Sequence, residues 1–176
     1  MCAGRCRHGT GSIRNQSKDF GVKYRTVFLD ANLFVLLVVG RVSPAYIEKH
    51  KRLRAYDADA FTLLGTLLNG FDALVATPNV LTETSNLLGG RDSQAGRQLT
   101  SVFQTIVDAV VEVVIPSKEA VRRPEFQWLG LADAATLEVL SDDMVLLTDD
   151  QPLFATALQA GRKAELFSAL RGRAAA

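Results

Sequence analysis

Acidic side chains lie where predicted strands end or predicted helices begin. Asp30 follows a β-prone run, Asp133 lies in the first turn of a predicted helix, and Glu83 lies early in another. Asp149 and Asp150 directly follow a further predicted strand. Carboxylates gathered at one place repel one another unless a cation neutralises them, and oxygen-only ligands select hard ions such as Mg²⁺ or Mn²⁺. The pattern therefore predicts a metal site, and two such ions can activate water for phosphodiester cleavage.

The elements that must position these acids alternate between strands and helices. Apolar residues at steps of three and four, with Pro and Gly at the ends, predict helices at 43–69, 78–88, 94–110, 131–140 and 152–160. Short segments of β-prone or extended character predict strands at 24–29, 73–76, 110–115, 144–148 and 164–167. The run 110–115 is almost entirely β-branched, which predicts a central strand. This alternation predicts an α/β fold in which helices flank a mostly parallel sheet of four or five strands. Ligands bind at the carboxyl ends of strands in such sheets.

The composition is that of a globular protein with a sizeable core. Of the 176 residues, 48% are hydrophobic and 22% are charged, which excludes disordered and fibrous classes. The longest apolar run, 33–39, has seven residues, whereas about 20 are needed to cross a bilayer. We therefore predict buried core at 33–39, as a short helix or an extended continuation, and no membrane span. No stretch near the N-terminus resembles a secretory signal, so we expect a cytoplasmic location.

The charges divide the chain into unequal parts. The first 25 residues carry six basic side chains and one acidic side chain, which leaves the remainder mildly acidic. We interpret 1–23 as a basic, disordered tail, 24–170 as one domain and 171–176 as a short tail. The basic tail either attracts nucleic acid or an acidic partner, or is only a solvated start. Cys2, Cys6 and His8 have the side chains of zinc ligands, but a reduced terminus is the commoner explanation.

Four segments carry a family resemblance. They are 27–32 (VFLDAN), 77–88 (TPNVLTETSNLL), 131–135 (LADAA) and 146–150 (LLTDD). In this order they resemble the motifs of the PIN-domain nucleases, a family that includes the VapC-type toxins. The resemblance covers about residues 26–168 and implies a three-layer PIN-like domain. It also implies a Mg²⁺- or Mn²⁺-dependent endoribonuclease, as in the toxin of a toxin–antitoxin pair.

The resemblance assigns roles to particular residues. It implies that the principal acids, and ligands of the metal, are Asp30, Glu83 and Asp133. Asn32 is then the polar residue that follows the first acid by two positions. The family's Thr-x-Asp pattern places the fourth acid at Asp150, whereas the strand end favours Asp149, so Asp149 stays an alternate. The 53 positions between the first two acids exceed the spacing in compact toxin members, which implies an enlarged helical section.

Further polar residues are predicted to lie near these acids. Asn86 and Thr148 are candidates for orienting the carboxylates. Basic residues are candidates for contacts with an RNA backbone, although a charged outer face is the commoner role of such residues; they are Lys49, Lys51, Arg52, Arg122 and Arg123. The expected partner is an RNA substrate, and the interpretation admits an antitoxin-like protein. It also admits a homodimer built on the apolar runs 33–39 and 63–68.

Other classes share parts of this pattern. Haloacid-dehalogenase-like phosphatases also begin with a strand that ends in Asp, but they need an Asp-x-Asp pair and Asn32 occupies the second position here. Receiver domains have a regular spacing, which the long section between Asp30 and the next strand breaks. A catalytically inactive PIN-like binding or scaffold module stays open, because a fold does not determine a function.

Overall fold

The computed structural model describes residues 25–90 and 92–174. The predicted basic tail, with Cys2, Cys6 and His8, lies outside the described residues, and so does the first residue of the strand predicted at 24–29. No helix in the described part of the chain combines the length and the apolar character needed to cross a membrane.

One five-stranded sheet, parallel throughout, forms the centre of the described chain. Its strands are β1 (Thr26–Leu29), β2 (Ala73–Ala76), β3 (Val111–Glu112), β4 (Met144–Thr148) and β5 (Ala164–Leu166). The helices are α1 (Ala31–Val42), α2 (Ala58–Leu68), α3 (Pro78–Leu88), α4 (Gln94–Val107), α5 (Ser117–Ala120), α6 (Phe126–Leu129), α7 (Leu131–Val139), α8 (Gln151–Gln159) and α9 (Phe167–Ala174). The predicted three-layer α/β fold is confirmed.

The direction of strand succession reverses at β1. The strand order is β3-β2-β1-β4-β5, so the chain first moves to one side of β1 and later to the other. Right-handed crossovers place the connections of the two halves on opposite faces of the sheet. Open α/β sheets bind ligands at such a reversal, which here lies between the carboxyl ends of β1 and β4.

Helix α1 is buried on nearly all sides. The side chains at 33–39 are no more than 3% exposed, because α1 packs against α2, α3 and α4 as well as against β1 and β4. The predicted core segment is therefore confirmed and is helical. In α2, Leu64 is buried, and Leu63, Leu67 and Leu68 pack against the same core. The homodimer was predicted from these two apolar runs. Residues 33–39 are buried and 63–68 are partly buried against the same core, and the homodimer stays a prediction.

The helix predicted over 43–69 is wrong in its first half. A short 3₁₀ helix at Pro44–Tyr46 and a series of turns precede α2. Leu53 and Tyr56 lie in these turns and are buried, at 0% and 8% exposure. Their spacing of three positions is the same as that of neighbours on one face of a helix, although no helix is present there. Asp57 then starts α2, since its carboxylate accepts a hydrogen bond from the N–H of Ala60 at 2.7 Å.

The strand predicted over 110–115 is also shorter than expected, and it is not central. β3 has two residues, pairs only with β2 and lies at the edge of the sheet, where Val111 is 50% exposed. β-Branched residues favour strands whether or not they are buried, so the run indicated a strand without indicating its place. At the other end of the chain, the tail predicted at 171–176 begins inside α9.

A close approach between α1 and α2 gives a test of this packing. A methyl group at Gly40 of α1 would overlap the ring of Phe61 on α2, whereas one at Gly65 of α2 would meet nothing within 4 Å. We expect Gly40→Ala to lower the free energy of unfolding by about 1–3 kcal/mol, because over-packing outweighs the gain in helix propensity. Gly65→Ala, the matched control, should raise it by up to about 1 kcal/mol. Urea denaturation measures both, and stabilisation by both substitutions would contradict the packing.

Candidate carboxylate site

Asp30 lies at the centre of the sheet edge where β1 and β4 end. The register of the two strands places Asp30 beside Thr148, and Asp30 is only 5% exposed. Its carboxylate accepts hydrogen bonds from the N–H of Leu33 at 2.7 Å, from the hydroxyl of Thr148 and from the N–H of Asp149 at 3.2 Å. The side chain therefore caps α1 and joins the two central strands.

Burial controls the ionisation of Asp30. Desolvation raises the pKa of Asp30 to about 6, although the hydrogen bonds from Thr148, Leu33 and Asp149 favour the charged form and lower it. The negative charge of Asp149 adds a smaller upward effect. Asp30 is thus an ionised, buried carboxylate at neutral pH, and it regains a proton under mildly acidic conditions.

Asp133 feels the charge of the other predicted acids. It lies in the first turn of α7, and α7 packs against α3, which carries Glu83. Burial raises the pKa of Asp133 to about 7, and the negative charges of Asp150, Glu83 and Asp30 contribute in that order. Three acids from separate segments of the chain are therefore near enough to act on the carboxyl group of a fourth, Asp133.

These four acids differ in what their oxygens already bind. Asp150 caps α8, since its Oδ1 accepts a hydrogen bond from the N–H of Leu153 at 2.9 Å, and Asp30 caps α1. Among the described residues, no hydrogen bond or ion pair engages the side chain of Glu83 or that of Asp133. No group of three or more His, Cys, Asp or Glu side chains in 25–90 and 92–174 is arranged to hold a metal ion. The site has the charge that favours a cation without a closed set of ligands.

Both carboxylate oxygens of Asp149 accept hydrogen bonds from other parts of the fold. Its Oδ2 accepts a hydrogen bond from the hydroxyl of Tyr56 at 2.9 Å, and its Oδ1 accepts one from the N–H of Ser168 at 2.6 Å. Burial, together with the charge of Asp149, raises the pKa of Tyr56, so this hydroxyl stays a donor at ordinary pH. Of the two alternates for the fourth acid, Asp150 has an oxygen that no described group hydrogen-bonds, and Asp149 has none.

The polar residues predicted around the acids have unequal positions. Thr148 is buried and donates to Asp30, which is the contact that an orienting role requires. Asn32 is half-buried in the first turn of α1. Asn86 is exposed in the last turns of α3, after Glu83.

The basic residues also divide into two groups. Lys49, Lys51 and Arg52 are exposed in the turns that lead to α2. Arg122 is exposed after α5, but Arg123 is only 22% exposed. The guanidinium of Arg123 is paired with Glu138 at 2.8 Å and with Glu125 at 3.2 Å. This pairing ties the turn after α5 to α7 and leaves Arg123 less suited than the other four to bind a phosphate.

Sequence reasoning missed the residues that hold Asp149. Tyr56 is separated from Asp149 by 93 positions and was taken only for part of a helical face. Arg171, which contacts the same region, was placed in the predicted tail. No spacing in the sequence links either residue to the acids, so the contact depends on how α9 packs.

Comparison of this chain with family models, with curated proteins and with solved structures finds no match. The assignment to the PIN-domain family therefore rests on the sequence motifs and stays a hypothesis.

The raised pKa of Asp133 predicts how stability varies with pH. The folded protein binds the proton of the Asp133 carboxyl more tightly than the unfolded chain does. The stabilisation that this proton gives the fold is therefore complete below about pH 4 and is lost as the pH rises through about 7. Asp133→Asn removes the cost of the buried charge. We expect the variant to be more stable than the parent by about 1–3 kcal/mol at pH 8, less than full linkage gives because the carboxyl is partly exposed.

Thermal unfolding from pH 4 to pH 8 tests this prediction. The difference between Asp133→Asn and the parent should shrink as the pH falls and nearly vanish at pH 4. Asp108→Asn, an exposed charge at the end of α4, is the matched control and should show no such trend. A stability difference that stays constant from pH 4 to pH 8 would mean that the charge of Asp133 does not destabilise the fold.

Proposed function

We propose that this protein is a PIN-like endoribonuclease that depends on Mg²⁺ or Mn²⁺. The observation that carries the proposal is the gathering of Glu83, Asp30 and Asp150 near Asp133, at the sheet edge where β1 and β4 end. Asp30 is buried, Asp133 and Asp150 are half-buried and Glu83 is exposed. Repulsion among carboxylates in such a place opposes folding unless a cation relieves it. Perturbed acids in a cleft are also typical of functional sites.

The donor chemistry fits a hard divalent cation. Glu83 and Asp133, whose oxygens are unbonded in the described structure, would hold it, while Asp30 and Asp150 add negative charge. When bound there, a divalent cation would neutralise these charges and would supply the activation of water that phosphodiester hydrolysis needs. Because Asp133 is half protonated near pH 7, binding releases a proton, and the affinity for the cation rises with pH.

The remaining residues of the site maintain its shape. Thr148 and the N–H of Asp149 hold the carboxylate of Asp30 in one orientation. The same hydroxyl of Thr148 accepts a hydrogen bond from the N–H of Asp150 at 2.9 Å, which fixes the turn that carries the fourth acid. A rotation of the Asp30 side chain would break the cap of α1, and a rotation of either Asp30 or Thr148 would break the link between Asp30 and β4.

The exposed cations of the turns before α2 support an RNA substrate. Lys49, Lys51 and Arg52 lie shortly before Tyr56, and the hydroxyl of Tyr56 binds Asp149 at the edge that carries the acids. This contact ties the basic turns to the sheet edge that carries the acids. A chain of phosphates that passes the acids then has positive charges on one flank, as backbone-tracking sites have.

A second function is favoured by a different observation. Asp30 and Asp150 both cap helices, and the described residues contain no closed set of metal ligands. A PIN-like binding or scaffold module that lacks activity would need these acids only for folding. A toxin role, with an antitoxin-like partner in the cytoplasm, belongs to the nuclease proposal alone.

Substitution of the two unbonded acids separates these functions. We expect the parent to bind Mn²⁺, and we expect Glu83→Gln and Asp133→Asn each to weaken binding by about tenfold or more, since each removes one charged ligand. RNA cleavage by both variants should fall by about 10²-fold or more. Calorimetry at pH 8 and cleavage of a labelled RNA are the measurements, with Asp108→Asn as control.

Asp30→Asn is a poor first choice for this experiment. An amide at residue 30 would turn an NH₂ group towards donors that now point at a carboxylate, so lost activity could reflect lost structure. Absence of Mn²⁺ binding by the folded parent would refute the nuclease proposal and favour the binding module.

The basic turns give a separate prediction about RNA affinity. Lys51→Gln and Arg52→Gln should each weaken RNA binding similarly for all sequences and reduce the slope of log affinity against log salt by about 0.7–1. Lys163→Gln is the matched loss of one positive charge far from these turns in the sequence. Filter binding between 50 and 200 mM KCl measures the slopes, and equal slopes for all three variants would exclude the turns from the RNA path.

A further inference from the structure

Asp149 joins three segments that are distant in the sequence. Its Oδ2 binds the hydroxyl of Tyr56 before α2, and its Oδ1 binds the N–H of Ser168 in the first turn of α9. Its own N–H donates to Asp30 at 3.2 Å. One residue therefore connects the turns before α2, the C-terminal helix and the candidate site.

Arg171 strengthens the contact between α9 and the turns. Its guanidinium donates to the carbonyl of Ala55 at 2.8 Å and to the carboxylate of Asp57 at 3.0 Å. The same group lies 6.0 Å from the centre of the Tyr56 ring, within reach of a cation–π contact. The Phe167 ring, fully buried, lies with its centre 6.1 Å from the centre of the Tyr56 ring. Two residues of α9 therefore contact the ring of Tyr56.

We propose that Tyr56 and Arg171 are positioning residues that act through Asp149 on the turn 148–150. This turn supplies two of the hydrogen bonds to Asp30, from Thr148 and from the N–H of Asp149, and it carries Asp150. The proposal rests on the proposed function in one respect, namely that the turn serves a cation site. The group formed by Tyr56, Asp149, Ser168 and Arg171 is called the α9 clamp below.

The α9 clamp explains why Asp149 carries a carboxylate. Both of its oxygens accept hydrogen bonds from outside its own turn, and these bonds are stronger to a charged acceptor than to a neutral one. Loss of the Tyr56 hydroxyl would leave Oδ2 without this donor in a half-buried place. The turn then has one external anchor at the side chain of Asp149 instead of two.

Single substitutions that remove one contact each test the α9 clamp. Tyr56→Phe deletes the hydroxyl and keeps the ring, and Arg171→Gln deletes the charge and the forked donor. The matched controls are Tyr46→Phe, an exposed tyrosine, and Arg173→Gln, whose guanidinium is largely exposed on the same helix. Amide hydrogen exchange by NMR measures local opening, and Mn²⁺ calorimetry measures the effect on the site.

We expect the amides of Asp149 and Ser168 to exchange about tenfold faster in Tyr56→Phe and in Arg171→Gln, because opening of the turn becomes easier. Amides of β1 and β2 should keep their rates, and the controls should match the parent. In a parent that binds Mn²⁺, the affinity should fall by about three- to tenfold.

Unchanged exchange at Asp149 and Ser168 would overturn the proposal. A uniform increase at all amides would also overturn it, because the two residues would then contribute only to global stability. If the parent does not bind Mn²⁺, the proposed function fails, and the exchange pattern still decides whether the α9 clamp positions the turn. Local loosening with unchanged Mn²⁺ affinity would refute the link to the cation site.

Discussion

The hydrogen bond from the hydroxyl of Thr148 to the carboxylate of Asp30 is the contact on which the rest of the site depends. It joins the two central strands at the point where the strand order reverses. The hydroxyl of Thr148 also accepts a hydrogen bond from the N–H of Asp150, and the carboxylate of Asp30 also caps the buried helix α1. The sheet edge, the core helix and the turn with the fourth acid therefore share one pair of side chains.

The four acids show a division between folding and chemistry. Asp30 and Asp150 begin helices, and loss of either removes a cap that is typically worth about 1 kcal/mol. Glu83 and Asp133 cap no helix in the described structure. Burial, together with the negative charges of its neighbours, raises the pKa of Asp133 to about 7. Variants of the first pair report on structure and activity together, while variants of the second pair report mainly on the site.

Local patterns predicted the strands Ala73–Ala76 and Met144–Thr148. A Gly turn precedes the first strand and the Thr77-Pro78 pair follows it, while acidic residues lie at both ends of the second. The parallel sheet then implied that acids at strand ends share an edge. The edge position of Val111 was not predictable, since β-branched residues suit any strand. The contact of Tyr56 with Asp149 depends on the packing of α9 across 93 positions, which no local pattern encodes.

The separation of 118 positions between Asp30 and Thr148 also bears on the order in which a ribosome makes the protein. At a synthesis rate of about 5–20 residues per second, Thr148 follows Asp30 by roughly 6–24 s. During that interval β1 lacks its neighbour β4, and Asp30 has only the start of α1 to bind. The four carboxylates consequently cannot act together until the ribosome has added Asp150, so the growing polypeptide carries Asp30, Glu83 and Asp133 for seconds before the site is complete.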